Sequence, residues 1–320
     1  MRQPLFFSDK SYYISTQIVK NMNNDKQSFK SGFVNIIGNP NVGKSTLMNA
    51  FLGTKLSITT PKVQTTRHRI LGMLNGENYQ IIFSDTPGIL NPKYEMQKRM
   101  LNYVFSAIED ADLLLYLTDI DDIKKVNENI ISRINKLSIP VLLIINKIDL
   151  HKTSEIEAAE LFWKKTLPQA EIHKISALRG DNLPELLNRI IELLPEHPPY
   201  YDDTDAISDK TERFFVAEII REKIFLNYRQ EIPYSVDVQI EEFKEKEDIT
   251  VIKAVIYVMH HSQKVILIGK NGTAIKKVGM EARKDIEAFL GTKVFLELRV
   301  KVKENWRNNP NILKKFGYGE

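Results

Sequence analysis

Between Gly32 and Leu194, short apolar runs alternate with longer stretches of helical periodicity. The runs are Phe33–Ile37, Tyr79–Phe83, Leu113–Leu117, Val141–Ile145 and Ile172–Ile175. A strand buried on both faces carries a continuous apolar run rather than an alternation. These runs therefore predict an α/β domain with a mostly parallel sheet and helices on both faces. Pro195, Pro198 and Pro199, with Asp202, Asp203, Asp205 and Asp209, then break all periodicity. That composition reads as a linker. The expected organisation is a flexible extension over 1–31, a first domain over 32–195, a linker over 196–210 and a second domain over 211–320.

The second domain has a different pattern. Val216, Ile220, Ile224 and Tyr228 recur every four residues, on one helix face. Val236, Val238 and Ile240 alternate with Asp237, Gln239 and Glu241, which predicts a half-buried strand. Ile249–Val258 is a further strand. Lys264–Ile268 reads as a short apolar turn or helix and leads into Gly269-Lys270-Asn271-Gly272. A helix with Ile275, Val278 and Ala282 follows. The last strand puts Val294, Leu296, Leu298, Val300 and Val302 on one face and Lys293, Glu297, Arg299 and Lys301 on the other. The order is helix, strand, strand, helix, GxxG, helix, strand, an α+β arrangement.

No run approaches the ~18 apolar residues that span a bilayer. The first thirty residues lack the charged start, apolar core and cleavage site of a signal peptide. Met22 lies within them, so Met1–Asn21 is either a mobile extension or an upstream start that the cell does not use. The chain of 320 residues contains no cysteine, which excludes disulfides, thiolate zinc sites, iron–sulfur clusters and a cysteine nucleophile. It fits a reducing compartment. The formal charge is only +4, but it is segregated. Residues 202–248 carry 14 acidic and 7 basic side chains, a net of −7; residues 269–320 carry 12 basic and 6 acidic, a net of +6. The basic surplus thus lies in and after the GxxG segment, where a phosphate backbone would need it.

Gly38-Asn39-Pro40-Asn41-Val42-Gly43-Lys44-Ser45, followed by Thr46, matches G-x-x-x-x-G-K-[ST] between a strand and a helix. Glycines there let the backbone wrap a polyphosphate, so that consecutive N–H groups and a helix N-terminus face the anion. Lys44 sets a charge on the β and γ phosphates, and the Ser45 hydroxyl is a magnesium ligand. Asp85-Thr86-Pro87-Gly88 ends the next apolar strand. Asp85 can hold magnesium through water, and Gly88 can offer its N–H to a γ-phosphate. Asn146-Lys147-Ile148-Asp149 ends the strand Val141–Ile145. A carboxylate such as Asp149 accepts two hydrogen bonds from guanine that adenine cannot make, so it selects GTP over ATP. Ser176-Ala177-Leu178 can present an N–H to the guanine oxygen. Separately, Asp85 could be a turn residue and Asp149 a helix cap. Together, in order and at strand ends, they form a nucleotide site. Between the first two motifs, Gln64-Thr65-Thr66-Arg67-His68-Arg69 supplies a threonine to complete magnesium coordination; Thr66 is favoured over Thr65. His68 and Arg69 are expected to begin a strand.

These motifs resemble the translation-factor-related branch of P-loop GTPases. From about Gly32 to Glu320 the chain is similar to the Era family of bacterial ribosome-assembly GTPases. Gly38–Thr46, Gln64–Arg69, Phe214–Lys223 with Glu231–Val236, and Val265–Gly272 carry the resemblance. It implies a P-loop GTPase domain followed by a type II KH domain, and catalytic roles for Lys44, Thr66 and Gly88. Magnesium would be held by Ser45, Thr66 and Asp85, with GTP or GDP as the nucleotide. Gly269, Lys270, Asn271 and Gly272 would meet an RNA backbone. The family partner is the 3′ end of small-subunit (16S) ribosomal RNA, during maturation of the 30S subunit. A cytoplasmic monomer is implied. Peripheral association with the inner face of the cell membrane belongs to the family too, though no residue here predicts it. Ras-like GTPases place a water-positioning glutamine where this chain has Ile89, so intrinsic hydrolysis is expected to be slow and to need a partner. In related GTPases a potassium ion takes the place of an arginine finger, and Asn41 would coordinate it.

Two other readings compete. One is a GTP-regulated switch whose second module contacts a protein; the other is a GTPase serving RNA modification, for which no segment is left over. The lysine in the GxxG loop favours RNA over a protein partner. His260 and His261, being adjacent, do not suggest a metal site. Trp306 is read as a surface packing aromatic rather than a platform for RNA.

Overall fold

The structure is a computed structural model that describes residues 28–203 and 206–319. The reading of Met1–Asn21 and that of Asp205 lie outside the described residues. The chain divides into two compact units. Among the described residues the first comprises 28–57, 66–90 and 101–209; the second comprises 58–65, 91–100 and 210–319.

The first unit is built on a six-stranded sheet. Its strands are β1 (Lys30–Gly38), β2 (Ile70–Asn75), β3 (Tyr79–Asp85), β4 (Leu113–Thr118), β5 (Val141–Ile145) and β6 (Glu171–Lys174), in the order β2-β3-β1-β4-β5-β6. All pairs are parallel except β2 with β3. Every residue of β4 and β5 is buried, which is why these strands read as unbroken apolar runs. The helices are α1 (Lys44–Leu52), α2 (Glu95–Glu109, in this unit from Leu101), α3 (Glu128–Ile134), α4 (Thr153–Thr166) and α5 (Leu183–Leu193). In α5, Leu183, Leu186, Leu187, Ile190 and Ile191 are buried at helical spacing. Trp163 of α4 packs edge-on against Tyr116 of β4, ring centroids 5.4 Å apart. Each such fully buried aliphatic or aromatic side chain is worth about 1.5–3 kcal/mol.

Four details depart from the sequence reading. β1 starts at Lys30, where its ladder with β3 begins opposite Tyr79, and the Ser31 hydroxyl donates to the carbonyl of Pro198 at 2.6 Å. β2 was absent from the expected runs; it is a short antiparallel edge strand, and His68 and Arg69 precede it without belonging to it. Arg69 is instead bound to Asp110 through both terminal nitrogens. β6 lies one residue earlier than expected and is partly exposed, as befits the other edge. The segment after Pro195 has a linker's composition but is strapped to the sheet. Gln80 accepts from the N–H groups of Tyr200 and Tyr201, Tyr200 packs on Phe33, and Met73 N–H donates to the carbonyl of Ile207.

In the second unit, α6 (Glu212–Asn227), a short α7 (Ile232–Ser235), β7 (Asp237–Glu245), β8 (Thr250–Val258), α8 (His261–Ile268), α9 (Thr273–Leu290), β9 (Val294–Val302) and α10 (Pro310–Lys315) follow in order. The sheet order is β7-β8-β9, antiparallel then parallel. Val216, Ile220, Ile224 and Tyr228 enter one core with Ile252, Ile256, Val278, Ala282 and Ile286. The alternation begun at Val238 and Ile240 passes to Phe243 because β7 bulges between Ile240 and Glu242. Lys264–Ile268 resolves as part of helix α8. Trp306 is not at the surface. It is fully buried, packs beside Phe316 and Tyr318, and donates from Nε1 to the carbonyl of Ser235 at 3.1 Å. The chain after β9 folds back to cover it, so this stretch is core rather than tail. His260 lies just before α8, and the described residues contain no group of three or more His, Cys, Asp or Glu side chains placed to hold a metal.

Candidate functional site

The carboxyl ends of β1, β3, β4 and β5 meet on one side of the sheet, where an open α/β fold binds its ligands. The loop Gly38–Gly43 leaves β1 there and feeds α1. Gly43 has φ +104°, and a Cβ at that position would stand 2.2 Å from Nδ2 of Asn146, so only glycine fits. Asn39 and Val42 are buried, whereas Asn41 is exposed with φ +66°. Thr46 is half-buried in the first turn of α1.

Lys44 is buried, and its ammonium donates to the carbonyls of Gly38 and Asn39 at 3.1 and 2.9 Å. Burial pulls its pKa down to about 8, against the opposing charges of Asp85 and Asp122. An ammonium held here is a charge stripped of water, and a polyphosphate is the natural counter-ion.

Ser45, Thr66 and Asp85 come together. Asp85 Oδ2 accepts from Ser45 Oγ at 2.6 Å and from Thr66 Oγ1 at 3.3 Å, and the two hydroxyls lie 2.9 Å apart. Thr65 is turned elsewhere, bonded to Thr60 and to the carbonyl of Lys62. Asp85 is fully buried; burial raises its pKa, while the Ser45 hydroxyl and the Lys44 charge pull it back. Its Oδ1 has no hydrogen-bond partner. One orphan carboxylate oxygen and two hydroxyls form an all-oxygen donor set that fits a magnesium ion.

Thr86 donates to the carbonyl of Ile36 at 2.8 Å, and Pro87 is buried. Gly88 passes so close to Pro40 that a Cβ would lie 2.7 Å from its backbone, and Ile89 N–H donates to the carbonyl of Gly38 at 3.0 Å. Ile89 itself belongs to the hydrophobic core and cannot orient a water molecule.

Asn146 ties the site together. Its Nδ2 donates to the carbonyl of Val42 at 2.8 Å, and its Oδ1 accepts from the N–H of Ala177 at 2.9 Å. One side chain thus joins the phosphate loop to the loop after β6. Ser176 is buried, while Leu178 is 83% exposed at the rim. Two ion pairs here join motif residues to side chains outside the recognised motifs. Asp149 is 3.3 Å from Arg179, and Lys147 donates to Asp119 at 2.6 Å. Asp119 ends β4 as Asn146 ends β5, with Asn146 N–H bonded to the carbonyl of Thr118. That lateral register was the missing signal for Asp119, and it exists only in the folded sheet.

In the second unit, Gly269 joins α8 to a single tight turn, Lys270–Gly272, in which Asn271 has φ +52°. Lys270 and Asn271 are exposed, and space around Gly272 is open. Val265 and Ile266 of α8 are 57% and 51% exposed beside this turn, an apolar surface within the segment that the sequence marks only as a short apolar turn or helix.

The chain is similar to known proteins over most of its length. A family described as 50S ribosome-binding GTPase matches residues 33–147, and the KH domain matches residues 231–307. GTPase Era of Geotalea daltonii is 46% identical, covering 92% of this chain and 99% of its own. GTPase Era of Carboxydothermus hydrogenoformans is 44% identical over the same shares. Two solved structures each superpose with a TM-score of 0.87 at 41% identity, covering 91% of this chain and all of the other. One is Era with MgGDPNP and nucleotides 1506–1542 of 16S ribosomal RNA; the other is a single-substitution variant of Aquifex aeolicus Era bound to GDP·AlF4−.

Proposed function

The chain belongs to the Era family of GTPases, and from that premise we propose that it is a GTP-driven switch that binds 16S ribosomal RNA near its 3′ end. The observation that carries the reading is Asn146, which links the phosphate loop to the base-side loop and so closes one nucleotide pocket from separate segments. The relative seen with MgGDPNP and a 16S ribosomal RNA fragment supports both halves of it.

The chemistry follows from this chain's own groups. Backbone N–H groups of Gly38–Thr46 and the N-terminus of α1 receive the phosphates. Lys44 neutralises charge that builds on the β–γ bridge as the bond to the γ-phosphoryl breaks. Ser45 and Thr66, with Asp85 behind them, would hold magnesium, which would supply positive charge to the phosphates. Gly88 offers its N–H to the γ-phosphoryl oxygens. Asp149 accepts from the guanine edge, and the Ser176–Leu178 loop offers a backbone N–H to the guanine oxygen. Ile89 cannot orient the attacking water, so hydrolysis is slow until a partner assists. We assign Asn41 as the ligand of a potassium ion that supplies the further positive charge. Equal turnover in sodium and potassium buffers, unchanged by Asn41→Ala, would reject that assignment.

Gly269, Lys270, Asn271 and Gly272 admit the RNA backbone, with Val265 and Ile266 as the apolar surface beside the bases. The natural setting of this reading is the maturing 30S subunit in the cytoplasm, with the protein acting as a monomer. No helix among the described residues is long and apolar enough to cross a membrane. The test is binding to small-subunit particles with GDP and with a non-hydrolysable GTP analogue. Lys270→Ala should weaken RNA binding at either nucleotide, and Asp149→Asn should weaken selection of GTP. Equal particle binding with both nucleotides would sink the switch.

A further inference from the structure

Lys147 adopts a left-handed backbone, φ +62° and ψ +31°, which a non-glycine residue holds only at some cost. Its side chain does not run free from that position. The ammonium donates to Oδ2 of Asp119 at 2.6 Å. Asp119 is only 7% exposed, and its other oxygen, Oδ1, is buried with no hydrogen-bond partner. Asp122, 5% exposed, stands close enough for Asp119 to help raise its pKa, after the larger effect of burial. Two carboxylates therefore share a poorly hydrated corner, and Lys147 is the cation that Asp119 binds there. The corner lies where β4 and β5 end side by side, next to Asn146, which reaches both loops of the pocket.

We propose that Asp119 is a positioning residue of the base pocket, which by holding the Lys147 ammonium fixes the lysine stem as one wall for the guanine ring. The assignment rests on the reading of Asn146–Asp149 as the base site. A four-carbon stem is apolar along its length and presents a flat contact to a purine only when its charged end is anchored. Asp119 supplies the anchor, at a fixed point on the sheet. Its effect falls on the nucleoside end of the ligand, not on the phosphates. It therefore acts equally on GDP and GTP, and it acts on binding rather than on the chemical step.

Asp119→Asn keeps the size and removes the charge. The experiment measures affinity for GDP and for inorganic tripolyphosphate, KM and kcat for GTP, and melting temperature. Expected is about a tenfold loss of GDP affinity and the same rise in KM, with kcat at saturation within about twofold of the parent and tripolyphosphate affinity unchanged. Asp119→Glu should restore GDP affinity. Asp119→Asn added to Lys147→Ala should cost nothing further, since the anchored group is gone. Equal loss for tripolyphosphate and GDP would overturn the proposal, because the defect would then lie in the phosphate loop or the fold. So would additive losses in the double variant. If Asp119→Asn does not fold, Asp119→Glu decides: a loss of GDP affinity with unchanged melting temperature would refute the anchoring role. Asp149→Asn is measured alongside. If it leaves guanine selection intact, the base-site reading fails; if it abolishes selection while Asp119→Asn changes nothing, only the Asp119 assignment fails.

Discussion

The buried ammonium of Lys44 predicts a proton linkage to nucleotide binding. In the folded chain its pKa is about 8, against 10.5 for an ordinary lysine, because burial strips it of water. The sign follows directly. Between these two values the folded state binds fewer protons than the unfolded one, so ligand-free stability rises with pH through that window. A polyphosphate reverses the balance, since an anion beside Lys44 favours the charged form and draws its pKa back up. Full restoration would be worth ~3 kcal/mol of coupling. Binding must then take up a proton: ~0.1 per site at pH 7, ~0.5 at pH 8 and ~0.75 at pH 8.5. Affinity for GDP should fall roughly fourfold from pH 7 to 8.5. The measurement is isothermal titration calorimetry in buffers of different ionisation enthalpy, kept at or below pH 8.5 so that guanine retains its ring proton. An uptake below ~0.1 proton at pH 8 would refute the reasoning, and Lys44 would then be an ordinary lysine charged throughout.

Other outcomes follow from single groups. Asn146→Ala removes two hydrogen bonds at once and leaves the Ala177 N–H buried without a partner, so GDP affinity should drop by at least about tenfold while circular dichroism stays unchanged. Glu218→Gln leaves the guanidinium of Arg221, buried with it in α6, without its counter-charge. Denaturant titration should show a loss of about 3–5 kcal/mol, and the Glu218→Met, Arg221→Leu double variant should lose less than the single one. Trp306→Ala should cost about 3–5 kcal/mol in the same assay, whereas a surface aromatic would cost under ~1.

The strand ends and the motifs on them were legible in the sequence because phosphate and base binding each demand particular residue types at short spacing. Residues 38–46, 85–88, 146–149 and 176–178 each form a local unit that a linear reading can recover. Thr66 rather than Thr65 was readable only as a preference, since the difference lies in which hydroxyl faces Ser45. Asp119 and Arg179 were invisible, because each acts through a neighbour that is close across the sheet and distant along the chain. β2 was missed because an edge strand needs no long apolar run. Trp306 was misread because its burial depends on the chain doubling back through α10, which no local pattern announces.

The parallel pairing of β8 with β9 has a consequence for how the second unit forms. The ladder joins Thr250–Val258 to Val294–Val302, and all of α8, the glycine turn and α9 must be threaded between them. Loop closure of that length is paid before any rung of the ladder forms. β8 is the middle strand, so a chain that stops before Val294 leaves it as an open edge with nine unpaired positions. The unit is therefore completed from its far end. During synthesis it stays unfinished, and prone to stray strand pairing, until its last strand has been made.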